Sequence, residues 1–392
     1  MSTSYLLANI RALLPDRLLD RAVVEVVDGR VARIEERSDR PAGSIDGHGM
    51  MLLPGLIDSH SDGLENEIRP RRTSTVPIDF ALTSFEGRVR STGVTTVFHG
   101  LGYQEKPRVG RSVAEATRVC SAIRARRMSG RASVRHELLY RFEVRDPIAI
   151  EPMLEDVAQS RTAGLTNALV SFEDHTPGQG QFRDVQQFKA YVGPEGPDGQ
   201  PVEDYVRTIM EEAEALRPYR EKNLDRLGAM ARGDRIRLVA HDLDTPEAVE
   251  GAVEAGSAIA EFPVTRPAAE AASTAGMAIV TGAPNVLRGT SASGNVSARE
   301  LIGAGLCDVV ASDYLPAALL GCAFALARDG VCPLPAAVGL VTQGPADMVG
   351  LDDRGRLEVD AVADLILVDD HGMHPRVVGV RRAEDPPELS RF

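Results

Sequence analysis

Eight short apolar runs, each closing near a polar side chain and separated by stretches of helical period, constrain this chain more than any other feature. They are MLLPGLIDSH, TTVFHG, HELLYRFE, ALVSFEDH, IRLVAHD, AIAEFPV, AIVTGAPN and DVVASDY. Continuous apolar character marks strands covered on both faces, as in parallel sheets. Eight of them alternating with helices predict an α/β fold, a TIM-like (β/α)8 barrel. The rival, a flat doubly wound sheet, lacks its signature, because no Gly-x-Gly-x-x-Gly follows the first strand.

The flanks read differently. AVVEVVDGRVARIEE (22–36) holds two β-rich runs joined at Asp28-Gly29, the chemistry of a tight hairpin. ADLILVD (363–369) and RVVGVRR (376–382) are further strands near the other end. The predicted organisation is therefore 1–50 and 351–392 as β-rich flanks around a barrel over 51–350. Residues 179–234 interrupt the barrel rhythm with VGPEGPDGQP and a long helical stretch. An excursion of this length is either a functional lid or a packing decoration.

Composition excludes several classes. With 44 Lys and Arg against 57 Asp and Glu, the net charge is −13, which argues against a general nucleic-acid binder. No apolar run reaches about 18 residues, so no membrane span is expected. Arg11, Asp16 and Arg17 break up the N-terminal apolar stretches, unlike a signal peptide. The four cysteines, Cys120, Cys307, Cys322 and Cys332, are scattered with no C-x-x-C, so neither a disulfide framework nor a zinc ribbon is expected. A cytoplasmic setting is the expectation.

In a barrel the C-terminal strand ends converge on one mouth. The residues expected there are His60 and Asp62, His99, Glu143, Asp174 and His175, His241 and Asp242, Glu261, and Asp313. A spacing of two puts His60 and Asp62 on one face of an extended strand. Imidazole and carboxylate together suit zinc, iron or manganese. Glu143 is the candidate bridge between two metals, or else the partner of Arg141 or Arg145. Asp313 is a candidate ligand and base, able to take a proton from an activated water. Its plainer reading is a helix N-cap. His48, His136, His371 and His374 read as structural or solvent-exposed.

Two further stretches suggest an anionic substrate. GAPNVLRGTSASGN (282–295) is rich in Gly, Ser and Asn and precedes a helix that Asn295 is placed to cap. Loops after the last two strands of a barrel often take phosphate, although a plain flexible loop would read the same way. IRPRR (68–72) puts Arg69, Arg71 and Arg72 just after the first strand, and Arg pairs bidentately with phosphate oxygens.

Taken together, these residues resemble the amidohydrolase superfamily. LLPGLIDSHSD is similar to its first-strand motif and VADLILVD to its C-terminal signature, with Asp360 where Gly is common. The resemblance implies that the two flanks form one small β-sandwich. It is closer to one branch, the diphosphatases acting on α-D-ribose 1-methylphosphonate 5-triphosphate in the carbon–phosphorus lyase pathway. LPGLIDSHSD, EDHTPGQGQF, AHDLDT, IAEFPVT, GAPNVLRG, SGNV and SDYLPAALL carry it.

That branch implies hydrolysis of a ribose 5-triphosphate to the 5-phosphate and pyrophosphate, with two divalent metal ions (Zn, Mn or Fe). The implied ligands are His60, Asp62, Glu143, His175, His241 and Asp313, with Asp313 also the base. Arg69, Arg71, Arg288 and Asn295 are the expected substrate contacts. The expected partner is a small phosphorylated molecule, with no nucleic acid or membrane, in a homo-oligomer. Ala292 and Leu139 depart from the branch pattern, each standing where a His is expected. They leave room for a hydrolase of a C–N bond (amide, lactam or amidine), and an inactive structural homologue is the third reading.

Overall fold

The computed structural model describes residues 4–71, 74–106, 111–165, 168–196 and 199–385. Arg72 lies outside them. The described strands are β1 (Ser4–Leu13), β2 (Leu18–Val27), β3 (Arg30–Glu36), β4 (Ile45–Asp46), β5 (Met51–Pro54), β6 (Leu56–Ser61), β7 (Val94–Tyr103), β8 (Arg135–Glu143), β9 (Leu169–Glu173), β10 (Arg237–His241), β11 (Ile259–Glu261), β12 (Ala278–Gly282), β13 (Val309–Ala311), β14 (Leu365–Asp369) and β15 (Arg376–Arg381).

Two sheets share these strands. The first runs β15-β14-β5-β1-β2-β3, with β4 beside β1. β2 and β3 are joined through Asp28 and Gly29, both at positive φ (50° and 75°). That is the backbone an Asp-Gly hairpin needs. β5 pairs antiparallel with β14, Leu52 opposite Leu367, so strands from both chain ends build one sheet, as the resemblance implied. Its core is Leu7, Ile10, Val24, Val31, Leu52, Leu365 and Leu367, all buried.

The second sheet runs in chain order from β6 to β13. Ser61 and Asp313 form a parallel bridge beside the first and last strands, which is how a barrel closes. The architecture is the expected (β/α)8 barrel.

MLLPGLIDSH, read above as one strand, is two. Gly55 separates β5 from β6. Its N–H donates to Asp364 O at 2.7 Å, and a Cβ there would lie 2.3 Å from Thr95 Oγ1. Only glycine lets the backbone leave one sheet and enter the other at this point.

By packing, the chain forms two compact units, Met1–Phe98 with Gly130–His136 and Asp308–Phe392, and His99–Ser129 with Glu137–Cys307. In the second unit the helices Pro246–Glu254 and Arg266–Thr274 start alike. Thr245 Oγ1 accepts from Ala248 N at 3.1 Å and Thr265 Oγ1 from Ala268 N at 3.2 Å, each satisfying an orphan N–H of the first turn. Between β9 and β10 lie the helices Val185–Val192, Val202–Ala215 and Arg217–Arg232. Phe182, Phe188, Val202 and Val206 give the first two a small core of their own. Among the described residues, no helix is long and apolar enough to cross a membrane.

Candidate metal centre

In the first unit, the ends of β6 and β13 meet through the backbone. Asp313 N donates to His60 O and Asp62 N to Asp313 O, both at 2.9 Å. Asp313 sits at φ 57°, a left-handed conformation that a non-glycine residue adopts at a cost of about 1–3 kcal/mol. His60 is 1% exposed, and its Nε2 lies 3.4 Å from Asp62 Oδ1. One ligand atom from each of His60, Asp62 and Asp313 lies within 4.8 Å of the others. The helix after Asp313 begins at Ala318, with Ala317 before it. The N-cap reading of Asp313 is thereby corrected.

Asp58 lies beneath this group. Its Oδ1 accepts from Ser312 N at 3.0 Å and its Oδ2 from Ser312 Oγ at 2.5 Å. Burial pushes its carboxyl up to about 6 against the opposing effect of these bonds. Asp58 thus holds the residue before Asp313, a role that the spacing of apolar residues did not reveal.

In the second unit, four consecutive strands end in ionisable residues: Glu143, Glu173, His241 and Glu261. Glu143 stands opposite Glu173, and His241 opposite Glu261. Such a row of buried carboxylates needs partners. Arg141 Nε donates to Glu173 Oε1 at 2.6 Å and its Nη2 to Oε2 at 3.3 Å. Glu143 Oε2 meets His175 Nδ1 at 3.0 Å and Lys106 Nζ at 2.8 Å. Glu261 Oε2 meets His241 Nδ1 at 2.9 Å and accepts from Ser171 Oγ at 3.1 Å. Arg145 bonds Asp174. The alternative pairing of Glu143 with Arg141 or Arg145 is therefore not what forms.

These contacts set the charges. Burial opposes ionisation of Glu173, but Arg141, His241 and His175 outweigh it and hold its carboxyl down at about 2. Burial likewise disfavours a charged His241, yet Asp242, Glu173 and Glu261 raise it to about 9. His175 is raised against burial by Glu143 and Glu173. Asp242 is raised by burial; it follows β10 at φ 55°. His175, His241 and Asp242 each offer an atom within 4.8 Å of the others. The two imidazole rings are 6.2 Å apart, centroid to centroid.

The other predicted positions are less concentrated. Arg69 is half-buried just after the helix Gly63–Ile68, and Arg71 is exposed. Arg288 is exposed at the end of a short helix, Ala283–Arg288, where an irregular loop was expected. Asn295 donates to Gln181 O at 3.3 Å and does not cap the next helix. Ser297 stands at that start, and Asn285 Oδ1 accepts from Ala298 N at 3.0 Å. His99 is buried in β7. His136 is buried against Glu86, 2.7 Å away, and His48, His371 and His374 are exposed. The sequence reading missed Glu173 and Lys106. Glu173 ends its strand as Glu143 does, and that signal was available.

Residues 90–378 match the amidohydrolase family. The chain belongs to that family. The alpha-D-ribose 1-methylphosphonate 5-triphosphate diphosphatase of Escherichia coli (strain K12) is 33% identical to it over 362 residues, covering 92% of this chain and 93% of that protein. Among solved structures, a Xaa-Pro dipeptidase with bound methionine superposes with a TM-score of 0.66 at 14% identity, over 97% of this chain and 99% of the other. N-acetylglucosamine-6-phosphate deacetylase from Pasteurella multocida gives 0.62 at 11% identity, over 97% and 98%. Both show the fold.

The chain is thus a hydrolase of the amidohydrolase superfamily, similar to the diphosphatase branch. Amidohydrolases typically bind metal. The grouped imidazole and carboxylate donors fit divalent zinc, manganese or iron.

Proposed function

We propose that this amidohydrolase is a divalent-metal-dependent diphosphatase that cleaves a phosphoanhydride of a phosphonate-bearing ribose 5-triphosphate and releases pyrophosphate. The observation that carries this reading is the 33% identity over 92% of the chain to the Escherichia coli diphosphatase. The proposed metal ligands are His60, Asp62, Glu143, His175, His241 and Asp313; two donor groups, His60 with Asp62 and Asp313 and, taken by itself, His175 with His241 and Asp242, support binding of divalent metal.

A bound divalent cation supplies an acidified water and neutralises charge on phosphate oxygens. The protein does the rest. Glu143 and Glu261 hold the Nδ1 atoms of His175 and His241, which fixes ring orientation and leaves each Nε2 for a ligand role. Asp313, fixed by the backbone bonds to His60 and Asp62, accepts the proton of the attacking water. Arg69, Arg71, Arg288 and Asn295 grip the anionic substrate, offsetting the repulsion of an acidic chain.

The test is incubation of metal-loaded protein with the triphosphate and measurement of pyrophosphate. Release that vanishes in His241→Ala supports the reading, whereas release equal in the two proteins refutes it. A second reading, cleavage of a C–N bond, is favoured by Leu139, a fully buried apolar side chain in β8 where the branch carries an imidazole. Turnover of amides or lactams without pyrophosphate release would select it.

A further inference from the structure

One helix of the long excursion between β9 and β10 takes hold of both loops that present Glu143 and His175. Asp174, immediately before His175, is the first point of grip. Arg145 Nε donates to its two carboxylate oxygens at 3.0 and 3.1 Å. Arg220 Nε, from the helix Arg217–Arg232, donates to Oδ2 at 3.1 Å, and Thr176 Oγ1 to Oδ1 at 2.6 Å. The carboxylate is only 12% exposed, so two guanidiniums are what make a buried anion tenable there.

Asn223, one turn on from Arg220, is the second point of grip. It is 3% exposed, and its Nδ2 donates to Val144 O at 2.9 Å and Asp146 O at 3.0 Å. Those carbonyls belong to the residues just after Glu143. Arg145 Nη1 closes the arrangement by donating to Ala213 O at 2.7 Å, at the end of the preceding helix Val202–Ala215.

These bonds are unlike those of a lid. A lid touches its site loosely and opens, whereas this helix satisfies buried carbonyls and a buried carboxylate. It cannot move away without leaving them unpaired. The Glu143–His175 contact of 3.0 Å sits between the two gripped loops. A ligating imidazole loses affinity when its supporting partners are removed.

We propose that the helix Arg217–Arg232 is a brace for the Glu143–His175 pair. Arg220 and Asn223 are positioning residues that act through Asp174 and the Val144–Asp146 backbone. Its geometry is independent of the proposed function, and its consequence rests on the metal-binding part of that reading.

The test compares wild type, Arg220→Met and Arg220→Lys by amide hydrogen exchange of the metal-free protein, and by Co2+ titration followed by absorption. Arg220 is 38% exposed, so its replacement leaves a folded chain; Asn223→Ala is the second variant. Arg220→Met is expected to speed exchange across residues 174–180 at least about tenfold and to weaken Co2+ binding by about ten- to a hundredfold. Arg220→Lys recovers part of each, and Asn223→Ala moves the amides of residues 143–146. Exchange within twofold of wild type in both apolar variants overturns the brace, as does Co2+ affinity within threefold. Wild-type protein that binds no Co2+ overturns the metal reading instead, and exchange alone then decides the brace.

Discussion

Arg141→Met should destabilise the second unit strongly while removing no residue of the proposed ligand set. The Arg141–Glu173 pair is buried on both sides, at 9% and 3% side-chain exposure, with its shorter contact at 2.6 Å. Glu173 is held at about 2 against an ordinary value of 4.5. At about 1.4 kcal/mol per unit of pKa, the native state gains about 3 kcal/mol from ionised Glu173. Methionine fills much of the arginine's volume but leaves an uncompensated buried anion, for which losses of about 3–5 kcal/mol are usual. For units of this size the melting point should fall by roughly 6–20 °C at neutral pH.

The sign with pH follows from the direction of the shift. A depressed carboxyl stabilises the fold fully above its unfolded value of 4.5 and loses that contribution as pH falls toward about 2. The gap between variant and wild type should therefore shrink on acidification. Adding Glu173→Gln to the variant should recover a good part of the loss, because the stranded charge is gone. Thermal melts of the three proteins at pH 7 and pH 4 measure this. An Arg141→Met melt within about 2 °C of wild type, with no gain from Glu173→Gln, would show that the pair carries no such energy.

Two other expectations can be checked directly. Because His241 is raised to about 9, it is protonated near neutral pH without metal and must shed its proton to ligate. Metal affinity should climb about tenfold per pH unit per proton below that range, and calorimetry in buffers of different ionisation enthalpy should detect proton release; a flat profile from pH 6.5 to 8.5 contradicts it. Gly55→Ala places a Cβ 2.3 Å from Thr95 Oγ1, and such overpacking should cost about 1–3 kcal/mol; an unchanged denaturation midpoint would contradict the claim that this glycine is required.

The barrel was legible because buried parallel strands leave unbroken apolar runs, and the eight runs gave its strands. The Asp28–Gly29 hairpin was legible because its turn needs two positive φ values, which Asp-Gly adopts readily. What apolar pattern cannot show is where a run changes sheet. Met51–Ser61 is uniformly buried on both sides of Gly55, so periodicity gives no sign of the break. Pairing of like residues was equally hidden. Arg141, Arg145 and Lys106 are three cations within reach of three carboxylates, and only the fold decides that Lys106 takes Glu143 while the arginines take Glu173 and Asp174. Asp313 was picked out by its place after the last strand, but its left-handed backbone, which removes it from helix capping, is a tertiary constraint. Arg220 and Asn223 sit in the excursion that reads as a lid or a packing decoration, and their contacts were hidden because their partners lie more than forty residues earlier in the chain.

The interlaced first sheet has a consequence for how the protein is made. β5 is wanted by β14 on one edge and β1 on the other, and more than three hundred residues separate β5 from β14. At ribosomal speeds of about 5–20 residues per second, the N-terminal strands emerge on the order of tens of seconds before the neighbour that completes them. Through that interval an apolar strand edge is open to wrong partners. The last 21 residues of the described chain, from Leu365 to Asp385, therefore act as a timed seal, and nascent chains stalled before Leu365 should be the form that chaperones must shelter.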